Sequence, residues 1–115
     1  MDENREQMEK NIQEIVRDFL EGQFSEEATS ISVFLHGDLL VVYCKGCFSP
    51  AEQQMAHNEL QSNLLLEFKE KELEQAMIIL RDCIEKTTGH HILNIDSIVG
   101  LEGTRLLHIT LQEVL

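Results

Sequence analysis

Apolar residues recur at steps of three and four from about Asn4 to Gly22, where Met8, Ile12, Ile15, Val16, Phe19 and Leu20 alternate with Glu and Arg. That spacing predicts an amphipathic helix, with Gly22 as its C-terminal stop. Beyond the polar connector Ser25-Glu26-Glu27-Ala28 the period changes to two. Ile31, Val33 and Leu35 alternate with Ser30, Ser32 and His36 in a run from Thr29 to His36, and a second run extends from Leu39 to Gly46. Gly37-Asp38 between them is a two-residue hairpin signal, because glycine supplies the positive φ that such tight turns need. Leu39-Leu40-Val41-Val42-Tyr43 does not alternate, which places that strand inside the sheet or at a subunit contact, covered on both sides.

The strand ends at Gly46-Cys47-Phe48-Ser49-Pro50-Ala51-Glu52, and the longest helix begins there. Ser49 is placed to accept from a free amide of the first turn, Pro50 stands where its missing N–H costs nothing, and Glu52 completes a capping box. No further Pro or Gly occurs before Gly89. An unbroken helix of that length, at 1.5 Å per residue, would run ~60 Å, about twice the width of a small domain. It must therefore break or bend near Asn58 to Asn63, where helix propensity is lowest, or overhang and pack on a second copy. Leu73, Met77, Leu80 and Ile84 form one stripe; Leu64, Leu65, Leu66, Phe68, Ile78 and Ile79 broaden the apolar surface beyond it. The excess favours self-association, with Leu64, Leu65, Phe68, Ile78 and Ile79 as its residues and a homodimer as its product. After Thr87-Thr88-Gly89, strands are predicted over His91 to Val99 and Thr104 to about Glu113, joined by the loop Gly100-Leu101-Glu102-Gly103. The order α-β-β-α-β-β fits an α+β domain: a four-stranded, mainly antiparallel sheet with two helices packed on one face, the second of them long.

With 115 residues the chain makes one domain, 1–115, with apolar content for one core. The net charge of −12 concentrates on the predicted helices: residues 1–28 carry nine acids against three bases, and residues 49–88 eight against four. Such a surface repels nucleic-acid phosphates and anionic headgroups, so no nucleic-acid partner is expected. No apolar run approaches the ~20 residues of a bilayer span, and the start of the chain lacks a basic, then apolar, leader. A cytoplasmic protein without direct membrane insertion is the expectation. Three cysteines, two of them only three apart, do not make a secreted disulfide framework.

Cys44-Lys45-Gly46-Cys47 is the one chemical motif that stands out. A C-x-x-C pair can supply half of a tetrahedral zinc site, or a dithiol activated by a helix N-terminus. There is no second pair to complete four ligands, although Cys83 with His90 or His91 could help if the fold brought them together, and the βαβ setting of thioredoxin-type pairs is missing. Buried small apolar thiols remain the simpler reading. His36, His57, His90, His91 and His108 show no ligand spacing, Glu85, Asp96 and Glu102 are not fixed as an acid/base pair, and nucleotide and hydrolase signatures are missing. No catalytic residues and no cofactor are therefore assigned, and the chain is not expected to be an enzyme. A small-ligand site at a sheet edge or dimer groove stays open.

Gly37-Asp38-Leu39-Leu40-Val41-Val42, Gly46, Phe48-Ser49-Pro50-Ala51-Glu52 and Ile84-Glu85-Lys86-Thr87-Thr88-Gly89-His90-His91-Ile92, in that order and spacing, resemble the bacterial family of the Na+-translocating membrane potential-generating system MpsC, long catalogued as a domain of unknown function. The likeness runs over about residues 4–113. In that family the segment before Pro-Ala-Glu usually reads Leu-Thr; here it is Phe48-Ser49, and Ser caps as Thr does. The C-x-x-C is not a feature of the family. By resemblance the implied function is that of a soluble, non-catalytic accessory or regulatory module linked to a Na+- or bicarbonate-related transport system, with a membrane transport protein as possible partner. The alternative of a different class is a zinc-binding or thiol-redox protein centred on Cys44 and Cys47.

Overall fold

The computed structural model describes residues 2–112 and shows seven elements: α1 Asp2–Phe24, β1 Ser30–His36, β2 Leu39–Lys45, α2 Pro50–Ala56, α3 Ser62–Thr88, β3 Ile92–Gly100 and β4 Thr104–Leu111. The four strands form one sheet in the order β1-β2-β4-β3, and every neighbouring pair is antiparallel. This is the α+β arrangement expected from the periodicity. Residue Glu113, the expected end of the last strand, lies outside the described residues.

Each local device has a visible cause. His36 pairs with Leu39 across a two-residue turn whose first residue, Gly37, has φ 62°. α1 does not stop at Gly22. It continues to Phe24 and ends on Ser25, a non-glycine residue at φ 54°, with the amides of Ser25 and Glu26 donating to the carbonyls of Glu21 and Leu20 at 3.1 Å each. Two hydrogen bonds that satisfy the helix end hold Ser25 in a conformation serine rarely adopts.

Of the alternatives that its length leaves, the long segment takes the break near Asn58. α2 ends at Ala56, and α3 starts at Ser62 after an Asn58-centred turn in which the Asn58 side-chain oxygen accepts from the amides of Leu60 and Gln61. An asparagine side chain that bonds to nearby backbone competes with helix at that point. α3 then closes on Gly89 in the left-handed conformation, φ 75°.

α1 and α3 lie together on one face of the sheet, and the core between them includes Ile12, Val16, Leu40, Val42, Leu73, Leu80, Ile84, Leu107, Ile109 and Leu111. A smaller cluster of Phe48, Leu65 and Val99 seals the end beneath α2. β2 is central in the sheet, yet its burial alternates: Leu40, Val42 and Cys44 are buried, while Leu39, Val41 and Tyr43 are only half-buried. The outer side that the apolar run led one to expect covered is not covered by this chain's helices.

Candidate functional site

The predicted cap forms in full. Ser49 has extended backbone (φ −67°, ψ 164°), its hydroxyl accepts from the Glu52 amide at 3.2 Å, and Glu52 Oε1 accepts from the Ser49 amide at 2.9 Å. Pro50 begins the helix. Glu52 has a second task that local sequence does not announce: its Oε2 lies 2.9 Å from the ammonium of Lys69 on α3.

Lys69 opens onto a buried ion network. Its Nζ stands 2.7 Å from Glu26 Oε2 and 3.4 Å from Glu72 Oε1. Arg105 on β4 grips Glu26 with both arms, Nε to Oε1 at 2.9 Å and Nη2 to Oε2 at 2.7 Å, and donates through Nη1 to the Lys69 carbonyl at 3.3 Å. Arg105 and Lys69 are 1% and 2% exposed. Their aliphatic and cationic parts also pack on rings: the guanidinium over Phe24 and the ammonium over Phe48. Four separate pieces of chain, the turn after α1, the start of α2, α3 and β4, are thereby pinned to one another. Among the described residues every buried side-chain nitrogen and oxygen has a hydrogen-bond partner. A buried network in which every member is partnered holds geometry.

The network sets the titration of its members. Burial alone would push Glu52 up and Lys69 down. The Ser49 amide and the Lys69 ammonium outweigh it for Glu52, whose pKa falls below its ordinary 4.5, and the Glu26 and Glu52 carboxylates outweigh it for Lys69, whose pKa rises above 10.5. A carboxylate with a lowered folded-state pKa contributes stability above 4.5 that is lost as pH falls through the folded value. A lysine with a raised one contributes below 10.5 and loses it as pH climbs through its folded value. Thermal melts taken from pH 7 downward should therefore show Tm dropping below pH 4.5, and Glu52→Gln should flatten that drop while lowering Tm at pH 7. Equal slopes for the two proteins would remove Glu52 from the account.

Cys44 and Cys47 sit beside the network, 1% and 2% exposed. The two thiols act on each other through a shared sulfur–sulfur interaction. That interaction, with burial, raises Cys44; the same interaction lowers Cys47 against its own burial, helped by the nearby Arg105 and Lys69 charges. Cys83 lies apart on α3, and among the described residues no group of three or more His, Cys, Asp or Glu is placed to hold a metal ion. Over the cap and Cys47 lies an open groove of about 600 Å³ bordered by Phe24, Glu26, Cys47, Phe48, Ser49 and Glu52.

The residues read as a self-association surface divide. Leu64, Phe68, Ile78 and Ile79 are exposed, Phe68 by 57% and Ile78 by 79%. Leu65 is not among them: it is buried against Phe48 and Val99 and belongs to the interior. At about 100° per residue, Leu64 and Ile78 face away from the inward side that Leu65 shares with Leu73 and Leu80, while Phe68 and Ile79 sit on the flank between the two. α3 thus carries one inward apolar stripe and, outward, two separated apolar pairs, Leu64 with Phe68 and Ile78 with Ile79.

Among the described residues no helix is long and apolar enough to cross a membrane. Comparison with known proteins gives no match to a curated protein and none to a solved structure. A family model does match, over residues 4–111, nearly the whole chain, and by it this chain belongs to the family described as Na+-translocating membrane potential-generating system (MpsC).

Proposed function

We propose that this chain is a non-catalytic accessory or regulatory module of a membrane-potential-generating Na+-transport system, acting in the cytoplasm as a homodimer. The family match over residues 4–111 carries the link to such a system. Ion translocation needs a path through the bilayer, which we assign to other components of the system. The exposed apolar residues of α3 support a docking role: Leu64, Phe68, Ile78 and Ile79 lie along the outer side of the helix, with Glu67 and Glu74 beside them and Lys71 among them. An apolar groove edged by basic residues on a membrane component is the complementary surface.

The test is affinity purification of tagged protein from native cells in mild detergent, with bound proteins identified by mass spectrometry. Multi-span components of a Na+-translocating system should be enriched. Phe68→Glu with Ile78→Glu should lower their recovery by about tenfold or more, since burying a carboxylate in an apolar contact removes well over 1.4 kcal/mol. Failure to enrich any such membrane protein refutes the reading.

A further inference from the structure

The uncovered side of the sheet forms a continuous surface. Strand registers place Phe34, Val41, His108 and Asp96 in one row across it and Ser32, Tyr43, Leu106 and Ile98 in the next. Phe34 is 73% exposed and Ile98 61%, with half-buried Val41, Tyr43 and Leu106 between them. A four-stranded sheet normally has both faces either covered or polar; a face with an aromatic and an aliphatic residue this exposed at its two edges is neither.

We infer that this face is covered by a second copy of the same chain, packed sheet against sheet, and that α3's outward apolar residues are left for the membrane component. The inference rests on the homodimer proposed above and assigns its interface. Charge selects the occupant. The chain carries 21 acids and a net charge of −12, so two copies repel wherever their helices meet. The four strands contain a single acid, Asp96, and on the open face it is accompanied by Lys45, His36 and His108. On this face an identical, strongly acidic molecule can approach with a single strand carboxylate per copy, Asp96, in the contact. The outward residues of α3, by contrast, have two carboxylates, Glu67 and Glu74, beside them with Lys71 as the one cation among them, so a second α3 would meet a net negative surface.

The area agrees. Four strands ~4.8 Å apart and about seven residues long cover roughly 450 Å² in projection, so two copies remove about 1,000 Å² from water, the lower bound for a specific protein–protein contact. Sheets packed face to face in this way keep their strands within about 30° of parallel and interdigitate side chains such as Val41, Tyr43 and Leu106.

Size-exclusion chromatography with light scattering at micromolar concentration tests it. Wild-type protein should have twice the 13.2 kDa chain mass. Phe34→Glu with Ile98→Glu, at positions too exposed to threaten the fold, should run at the single-chain mass with an unchanged circular dichroism spectrum. Phe68→Glu with Ile78→Glu should remain dimeric. Added salt should tighten the wild-type dimer, because it screens repulsion between two acidic molecules. A dimer that survives the sheet-face pair and splits with the α3 pair overturns this assignment while leaving the dimer itself standing; a wild-type monomer overturns both.

Discussion

Replacing Arg105 by leucine is expected to lower unfolding free energy by about 3–5 kcal/mol, the usual consequence of removing one partner from a buried ion cluster. For a domain of this size that is a Tm drop of roughly 10–20 °C. The reason is visible in the contacts: Glu26 would lose both arms of its bidentate partner, and the carbonyl of Lys69 would lose its side-chain donor. A carboxylate only 4% exposed would then depend on Lys69 alone, which already serves Glu52 and Glu72. Arg105→Lys, which keeps the charge but loses the fork, should fall between the two proteins. Glu26→Leu combined with Arg105→Leu should recover part of the loss, because the orphaned charge leaves with its partner. Urea denaturation of the four proteins gives the comparison. A loss below 1 kcal/mol for Arg105→Leu would show that hydrophobic packing alone holds α3 on the sheet.

That network joins elements far apart in the chain, which explains why it is hard to read from sequence. Arg105 and Glu26 are 79 positions apart. Half of the signal was nevertheless present. Arg105 stands in the alternating set Arg105, Leu107, Ile109, Leu111, so the strand period turns it inward; Lys69 stands four residues from both Leu65 and Leu73 on α3's inward side. A lone cation on an inward stripe demands an anion, but nothing local says that Glu26, in a connector that reads as polar and solvated, is the one. The same helical phase separates Leu65 from Leu64, which composition alone cannot do. Local devices were more legible. The Gly37-Asp38 turn, the Ser49-Pro50-Glu52 cap and the interruption near Asn58 each depend on a few adjacent residues and formed where their chemistry required. The end of α1 was misplaced because glycine is the commonest helix stop, and a serine held at positive φ by two backbone bonds leaves no compositional trace.

Gly46→Ala should be the most damaging single-methyl addition, with a loss of about 2–4 kcal/mol. Two effects add there. The residue sits at φ 70°, where an L-side chain is disfavoured by roughly 1–2 kcal/mol. A Cβ would also lie 2.5 Å from Thr29 Oγ1 and 2.6 Å from its Cγ2, so Thr29 must shift, and with it the amide that donates to the Lys45 carbonyl at 2.8 Å. Gly37→Ala provides the control: its φ is 62° but its Cβ would meet nothing within 4 Å, so only the backbone preference is lost. Thr29→Ala removes the two nearest colliding atoms but keeps Thr29's Cβ, 3.0 Å away, so it should restore most of the steric part of the Gly46→Ala loss and none of the backbone part, leaving the double variant somewhat below Gly37→Ala in stability. The position matters beyond stability because Gly46 swings the chain from β2 into Cys47, whose amide donates to the Gly103 carbonyl at 2.8 Å, and then into the Ser49 cap that delivers Glu52 to Lys69. A Gly46→Ala protein within 0.5 kcal/mol of wild type in chemical denaturation would mean that this turn relaxes freely. The cap would then not need the tight turn to reach the ion network.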